Sequence, residues 1–129
     1  MPVPAKVAAP SGAAQVAVNT ALAPVGDPYV WGAAGPDAFD CSGLMQYAYS
    51  AASISLPHSS SSQSTMGTPV SRDQLQPGDL VFFYSPVSHV GMYIGNGQMV
   101  HAATSGTPVQ VVSLDSLGSY NSARRLTGG

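Results

Sequence analysis

One cysteine and three histidines are the residues of this chain best suited to nucleophilic chemistry. Cys41 is the only cysteine in 129 residues, so it cannot form an intramolecular disulfide. It stands between a glycine- and proline-rich run, 32–37, and apolar residues at helical spacing, which predicts a position in the first turn of a helix. Unpaired N–H groups there favour an anion, here a thiolate. An unreactive buried side chain is the alternative, because free cysteines commonly pack as small apolar residues.

Two of the histidines, His89 and His101, fall in neighbouring predicted strands. A cysteine at a helix start, with a histidine and a second polar residue elsewhere, is the general arrangement of a thiol nucleophile, its base and an orienting group. Taken singly, each histidine is better explained as a partly buried, hydrogen-bonded strand residue. The chemical interpretation therefore requires both rings on the same face of the sheet.

The loop between these two strands decides which face each ring occupies. A two-residue Asn-Gly turn places Met92 opposite His101 and points His89 to the other side of the sheet. A three-residue loop that includes the preceding glycine instead places Gly91 opposite His101, with His89 as its diagonal neighbour on the same face. We therefore predict the three-residue loop, against the usual preference of Asn-Gly.

The remaining pattern places helices before strands. Helices are predicted over 11–23, with Ser11 as N-cap, and over 41–52. The segment 58–66 is either a serine-rich linker or a short helix that starts near 59 or 60, where Ser60 and Gln63 fit a capping box. After a turn, the predicted strands are 80–84, 88–94, 98–103, 109–114 and 123–126. This order is typical of an α+β domain whose cysteine helix packs on an antiparallel sheet of about five or six strands.

Composition limits the classes of function. A chain of this length forms one domain, which we assign to 11–129, and the Pro- and Ala-rich segment 1–10 is interpreted as a linker or the remnant of a pro-segment of a longer precursor. Only 8% of residues are charged and four are Lys or Arg, so nucleic acid is excluded as a partner. No apolar run is long enough to span a membrane. No metal-ligand spacing is present, and we expect no metal or cofactor.

Three segments carry distinctive motifs: Asp-Cys-Ser-Gly at the helix start, Ser-His-Val-Gly-Met-Tyr-Ile-Gly in one strand and Val-His-Ala in the next. Together they resemble one family, the NlpC/p-sixty cell-wall peptidases. The similarity runs from about 28 to 126 and includes Pro-Tyr-Val-Trp-Gly before the cysteine and Leu-Gln-Pro-Gly-Asp before the first strand. It is greatest to the actinobacterial members of Rip type, which remodel the wall and separate daughter cells. The resemblance implies a papain-like NlpC fold.

The resemblance also implies roles for individual residues. Cys41 matches the nucleophile and His89 the general base. His101 matches the residue that orients the base, and Tyr29 a rim tyrosine that stabilises the carbonyl under attack. Positions matching the substrate groove are Asp40, Ser42, Ser60, Gln63 and His58, the last of which replaces an arginine common in the family.

The reaction implied by the family is acyl transfer through a thioester, with the Cys41 or Ser42 N–H as oxyanion donor beside the tyrosine hydroxyl. The expected substrate is the stem peptide of peptidoglycan, cut between γ-D-glutamate and meso-diaminopimelate, by a secreted or wall-located monomer. Two alternatives stay open: an N-acetylmuramoyl-L-alanine amidase or acyltransferase on the same fold, and a module that binds wall fragments without cutting them.

Overall fold

The computed structural model describes residues 12–127 and shows helices first and strands second. The helices are α1 (Gly12–Leu22), α2 (Cys41–Ser50) and α3 (Ser60–Gln63). The strands are β1 (Thr68–Pro69), β2 (Leu80–Phe83), β3 (His89–Gly95), β4 (Gln98–His101), β5 (Gln110–Ser113) and β6 (Tyr120–Arg125). The predicted α+β class is therefore confirmed. The segment 1–10 and the predicted Ser11 cap lie outside the described residues, and the single-domain assignment of 11–129 stays a prediction.

All six strands join one antiparallel sheet in the order β1-β6-β2-β3-β4-β5. The two-residue β1 was not predicted, because Thr68 and Pro69 are too short a run to show alternation. It pairs with the end of β6, which begins three residues earlier than the sequence pattern indicated.

Two apolar clusters lie on opposite faces of the sheet. The larger contains Val90, Met92 and residues of α1 and α2. The smaller lies on the other face around Phe83, Met99 and Leu114. Alternation along β3 explains the division, because successive side chains of a strand point to opposite faces. Within residues 12–127, no helix has the length and apolarity needed to cross a membrane.

The turn between β3 and β4 differs from the prediction, whereas the register at the histidines agrees with it. Gly95 pairs with Gln98, so the loop is the two-residue Asn-Gly turn, and Asn96 and Gly97 both have positive φ, at 55° and 72°. The predicted three-residue loop is wrong. The pairing shifts by one residue between Tyr93 and Gly95, and this bulge supplies the register change that the longer loop was expected to give.

Candidate active site

The start of α2 is fixed by Asp40, the N-cap residue. One carboxylate oxygen accepts a hydrogen bond from the backbone N–H of Gly43 at 2.7 Å, and the other accepts from the N–H of Gly32 at 2.9 Å. A carboxylate cap satisfies donors that the first turn leaves unpaired. Cys41 is therefore the first helical residue, as predicted.

The preceding loop is fastened to α2 by backbone contacts. The Phe39 N–H donates to Pro28 O at 3.2 Å, which closes the loop on itself. A Cβ at Gly43 would lie 2.0 Å from Ala33 O, so the loop packs directly on the helix where only glycine fits. These contacts hold Tyr29 beside Cys41.

His89 and His101 form a buried pair at one end of the sheet. Their Nε2 and Nδ1 atoms, respectively, are 2.9 Å apart, and the residues are 6% and 2% exposed. A Cβ at Gly91 would lie 2.7 Å from the Met99 sulfur, which is too close, and 3.5 Å from the His101 Cβ, which is an ordinary contact. Gly91 therefore leaves room for the Met99 side chain beside His101. The prediction that the His89 and His101 rings lie on the same face of the sheet is therefore confirmed.

Burial keeps both imidazoles neutral at neutral pH. It lowers the pKa of His89 to about 4, with a smaller contribution from the neighbouring His101, and lowers the pKa of His101 to about 4 as well. In a neutral pair one ring donates and the other accepts. If the Nε2–H of His89 donates to His101, Nδ1 of His89 keeps a lone pair. The other ring nitrogen of His101, Nε2, is buried and has no hydrogen-bond partner among residues 12–127.

The Cys41 sulfur is half-buried and touches strand β3. Burial raises the pKa of the Cys41 thiol, the charge of Asp40 raises it further, and hydrogen bonds from the backbone N–H groups of Val90, Ser42 and Cys41 itself lower it. The net direction is upward. The expected donors at the helix start are therefore present, but the desolvation of the thiolate outweighs them.

The contact with Val90 places the sulfur close to the general-base candidate. The N–H of Val90 belongs to the peptide group that joins it to His89, so the sulfur reaches β3 at the position of the histidine. In the part of the chain that the structure describes, no hydrogen bond links the sulfur to the His89 ring.

A cleft of about 360 Å³ opens over the cysteine. Its lining includes most of the residues that the sequence singled out, namely Tyr29, Asp40, Cys41, Ser42, His58 and Ser60. It also includes Trp31, which is 85% exposed, with Gly32, Ser59 and Ser88. Sequence reasoning missed these four. Trp31 stands in a motif that carried the family resemblance, but no local pattern showed that its indole faces water.

Gln63 lies beneath the cleft and does not line it. Its side chain is fully buried, and its amide N–H₂ donates to Ser42 O at 3.1 Å and to Pro57 O at 2.8 Å. The expected capping box is absent for the same reason, and Ser59 rather than Ser60 caps α3. The structure therefore corrects the placement of Gln63 in the substrate groove to a supporting position under it.

The side chains of His58, Asp40 and Tyr29 form the polar rim of the cleft. His58 Nε2 lies 2.8 Å from an Asp40 carboxylate oxygen. The carboxylate therefore has protein partners on both oxygens, and little of it is left for a ligand. Burial, and then the charges of Cys41 and Asp40, raise the pKa of the Tyr29 hydroxyl, which is thus protonated at neutral pH and able to donate.

Comparisons with a family model, with related sequences and with solved structures all point to the same family. The model of the NlpC/P60 family matches residues 26–126. A protein of Mycobacterium tuberculosis named probable endopeptidase is 54% identical over 108 residues, which are 84% of this chain but 28% of that protein. The structure of NlpC1 from Trichomonas vaginalis matches with a TM-score of 0.84 and 32% identity, over 94% of this chain and 46% of that one. For the peptidoglycan hydrolase RipB from Mycobacterium tuberculosis, the TM-score is 0.83 at 29% identity, over 91% of this chain and 66% of that one.

Proposed function

The chain belongs to the NlpC/P60 family, and from that premise we propose that it is a cysteine endopeptidase that hydrolyses the stem peptides of peptidoglycan. Relatives in mycobacteria and corynebacteria are named probable endopeptidases, and RipB is described as a peptidoglycan hydrolase. The chain spans only 28% of the mycobacterial relative, so the activity of the whole protein is part of the proposal.

One observation carries the proposal: a buried histidine pair stands beside a thiol at a helix start. Cys41 is the nucleophile, His89 the general base and His101 the residue that positions the base. The 2.9 Å contact between the two rings supports this assignment, because the nitrogen of His89 that faces His101 is held and Nδ1 is left for the sulfur. Hydrogen bonds to a nucleophile are often long without substrate and shorten in the reacting complex.

The proposed reaction begins from a neutral thiol and a neutral imidazole. As the Cys41 sulfur forms a bond to the amide carbonyl carbon, Nδ1 of His89 takes the thiol proton. The C–N bond then breaks, and His89 returns the proton to the leaving amine. Water, deprotonated by the same imidazole, hydrolyses the thioester and restores the thiol.

Stabilisation of the tetrahedral oxyanion is assigned to donors at the rim of the cleft. The first turn of α2 presents the N–H groups of Cys41 and Ser42, and the protonated Tyr29 hydroxyl supplies a further donor. Loss of one such donor is expected to lower kcat by roughly a hundredfold or more.

The family resemblance supports a proposal for the bond and the setting. We propose cleavage between γ-D-glutamate and meso-diaminopimelate, by a monomer acting outside the cytoplasm on the wall. The uncharged serines of the cleft and the low charge of the chain are compatible with a substrate recognised through its peptide groups.

Digestion of purified muropeptides tests the proposal directly. The wild type is expected to release fragments ending in γ-D-glutamate, identified by mass spectrometry, and Cys41→Ala to release none while keeping its circular dichroism spectrum. Ser116→Ala, a change at an exposed position that does not line the cleft, is the matched control and should cleave normally. Cleavage between muramic acid and L-alanine would instead assign the amidase reaction. A folded wild type that binds wall fragments without cutting them would assign a binding module.

A further inference from the structure

A second concave surface lies on the side of α2 that faces away from the core. This groove of about 460 Å³ is bounded by the helix residues Gln46, Tyr47 and Ser50, by the loop 53–56 and by Ala34. It shares no lining residue with the cleft over the cysteine. No step of the proposed peptidase reaction uses it.

The lining of the groove carries hydrogen-bonding groups but no charge. Five of its eight residues bear a side-chain hydroxyl or amide, and none is Asp, Glu, Lys, Arg or His. Elsewhere, the Thr20 and Ser64 hydroxyls donate to carbonyls of the preceding turn. By contrast, the hydroxyls of Tyr47, Ser50, Ser53 and Ser55 have no hydrogen-bond partner among residues 12–127, so they are free to bind a ligand.

The aromatic part of the lining is held in place. The Tyr47 ring packs edge-on against buried Phe39, with ring centroids 5.1 Å apart. The amide of Gln46 donates to Leu56 O at 2.9 Å, which fixes the loop to the helix. A preformed site with a rigid ring and several free hydroxyls suits a neutral ligand that is itself rich in hydroxyl and amide groups. Phosphorylated and strongly charged ligands find no counter-charge there.

The groove and the cleft are close neighbours. Ala34 and Leu56 of the groove are each two residues from cleft residues, namely Gly32 and His58. Two residues of extended chain span about 7 Å at most, so the two surfaces border the same pair of loops. One branched polymer can therefore occupy both.

We propose that this groove binds the sugar strand of peptidoglycan, a chain of neutral N-acetylated sugars, while the attached stem peptide occupies the cleft. The proposal rests on the proposed function, since that activity supplies the polymer. It makes Tyr47 and the groove serines binding residues that select glycan-linked over free stem peptides.

Binding of a sugar alone tests the groove independently of catalysis. The ¹⁵N-labelled protein is titrated with chitotetraose, a neutral tetramer of N-acetylglucosamine, and amide shifts are followed by NMR. We expect shifts concentrated in residues 46–56, lost in Ser50→Trp, which fills the groove, and kept in Ser116→Trp, which adds the same bulk at an exposed site near the smaller cluster. Absence of shifts at millimolar sugar, or shifts confined to the cleft, overturns the proposal.

Kinetics then test whether the sugar belongs to the substrate. For a disaccharide-linked stem peptide, Ser50→Trp should lower kcat/KM about tenfold, whereas for the free stem peptide kcat/KM should be unchanged. Equal loss on both substrates, or loss on neither, contradicts the assignment. If the wild type cleaves neither substrate, the peptidase function fails, and the titration alone decides whether the groove binds sugar.

Discussion

The position of the proton on His89 depends on a single neighbouring nitrogen. Replacing His101 with alanine removes the acceptor 2.9 Å from His89 Nε2, and we expect kcat to fall by about 10²–10⁴ because the imidazole is then free to rotate and change tautomer. His101→Asn should recover a substantial part of this loss, since the asparagine carbonyl oxygen stands close to where Nδ1 was. Steady-state kinetics on one muropeptide compares the three proteins.

A purely structural role for His101 gives a different pattern. The asparagine variant would then be as impaired as the alanine variant, or both would lose activity only in proportion to their fraction unfolded. Thermal unfolding of the same samples separates these cases from the proposed positioning role.

The pH dependence should report a neutral thiol–imidazole pair. Protonation of His89 removes the base, and because burial lowers its pKa to about 4, kcat/KM should decline only as the pH falls through about 4 rather than through 6.5.

Burial raises the pKa of the Cys41 thiol, so alkylation by iodoacetamide should accelerate only above about pH 8.5, the ordinary value. An alkylation rate that is already maximal at pH 6 would indicate a thiolate–imidazolium pair and contradict this description.

Most residues of the site could be inferred from the sequence, because each of the polar residues stands in a recognisable motif. The charge state of the Cys41 thiol without substrate could not be inferred. A helix start predicts a lowered thiol pKa, and burial around Cys41, together with the charge of Asp40, reverses that direction. The prediction that Gln63 lines the substrate groove was also wrong. Its spacing from Ser60 fits a capping box, but spacing does not show whether the amide faces the helix end or the core, where the structure places it.

At the scale of the strands, Gly91 is the residue that lets β3 accommodate the Met99 side chain of β4, on the face that carries His101. A Cβ there would meet the buried Met99 sulfur at 2.7 Å. Gly91→Ala should therefore lower the free energy of unfolding by about 1–3 kcal/mol, because the buried Met99 side chain must move. It should reduce kcat/KM beyond that, because Met99 lies on the same face of β4 as His101. Denaturant unfolding and kinetics measure the two effects.

Gly12→Ala is the matched control for that variant. Open space surrounds a Cβ at this helical position, so stability should stay the same or rise slightly. Wild-type stability and activity in Gly91→Ala would show that the strands accommodate the methyl group and that the glycine is not required.

The strand pattern predicted the correct face for both histidines, but it did so from a three-residue loop that the structure does not have. Alternation shows which residues share a face within a strand, but the relation between two strands depends on the loop and on any bulge. Asn96 and Gly97 form the two-residue turn that their residue types favour. The β-bulge lies between Tyr93 and Gly95, where no residue type predicts one.

For the molecule as a whole, one partly buried ion pair ties β6 to the residue that precedes β2. Arg125 donates two hydrogen bonds of 2.9 Å to Asp79, which is 2% exposed and precedes β2. Asp79→Ala should lower the free energy of unfolding by about 1.5–3 kcal/mol, because it removes the buried acceptor of two charge-assisted hydrogen bonds. Asp115→Ala breaks the exposed pair with Arg72 and should cost about 1 kcal/mol or less. Equal effects in urea unfolding would contradict this ranking.

The order of the strands has a consequence for how the protein is made. β6 comes last among the described strands, yet it lies in the interior of the sheet, between β1 and β2. On a ribosome, the segment through β5 emerges with the edge of β2 unpaired, although every residue of that strand is buried in the finished fold. Such an edge is open to pairing with other chains. The sheet that carries the histidines therefore closes only when residues 120–125 pair with β2, and until then the edge of β2 remains open to another chain.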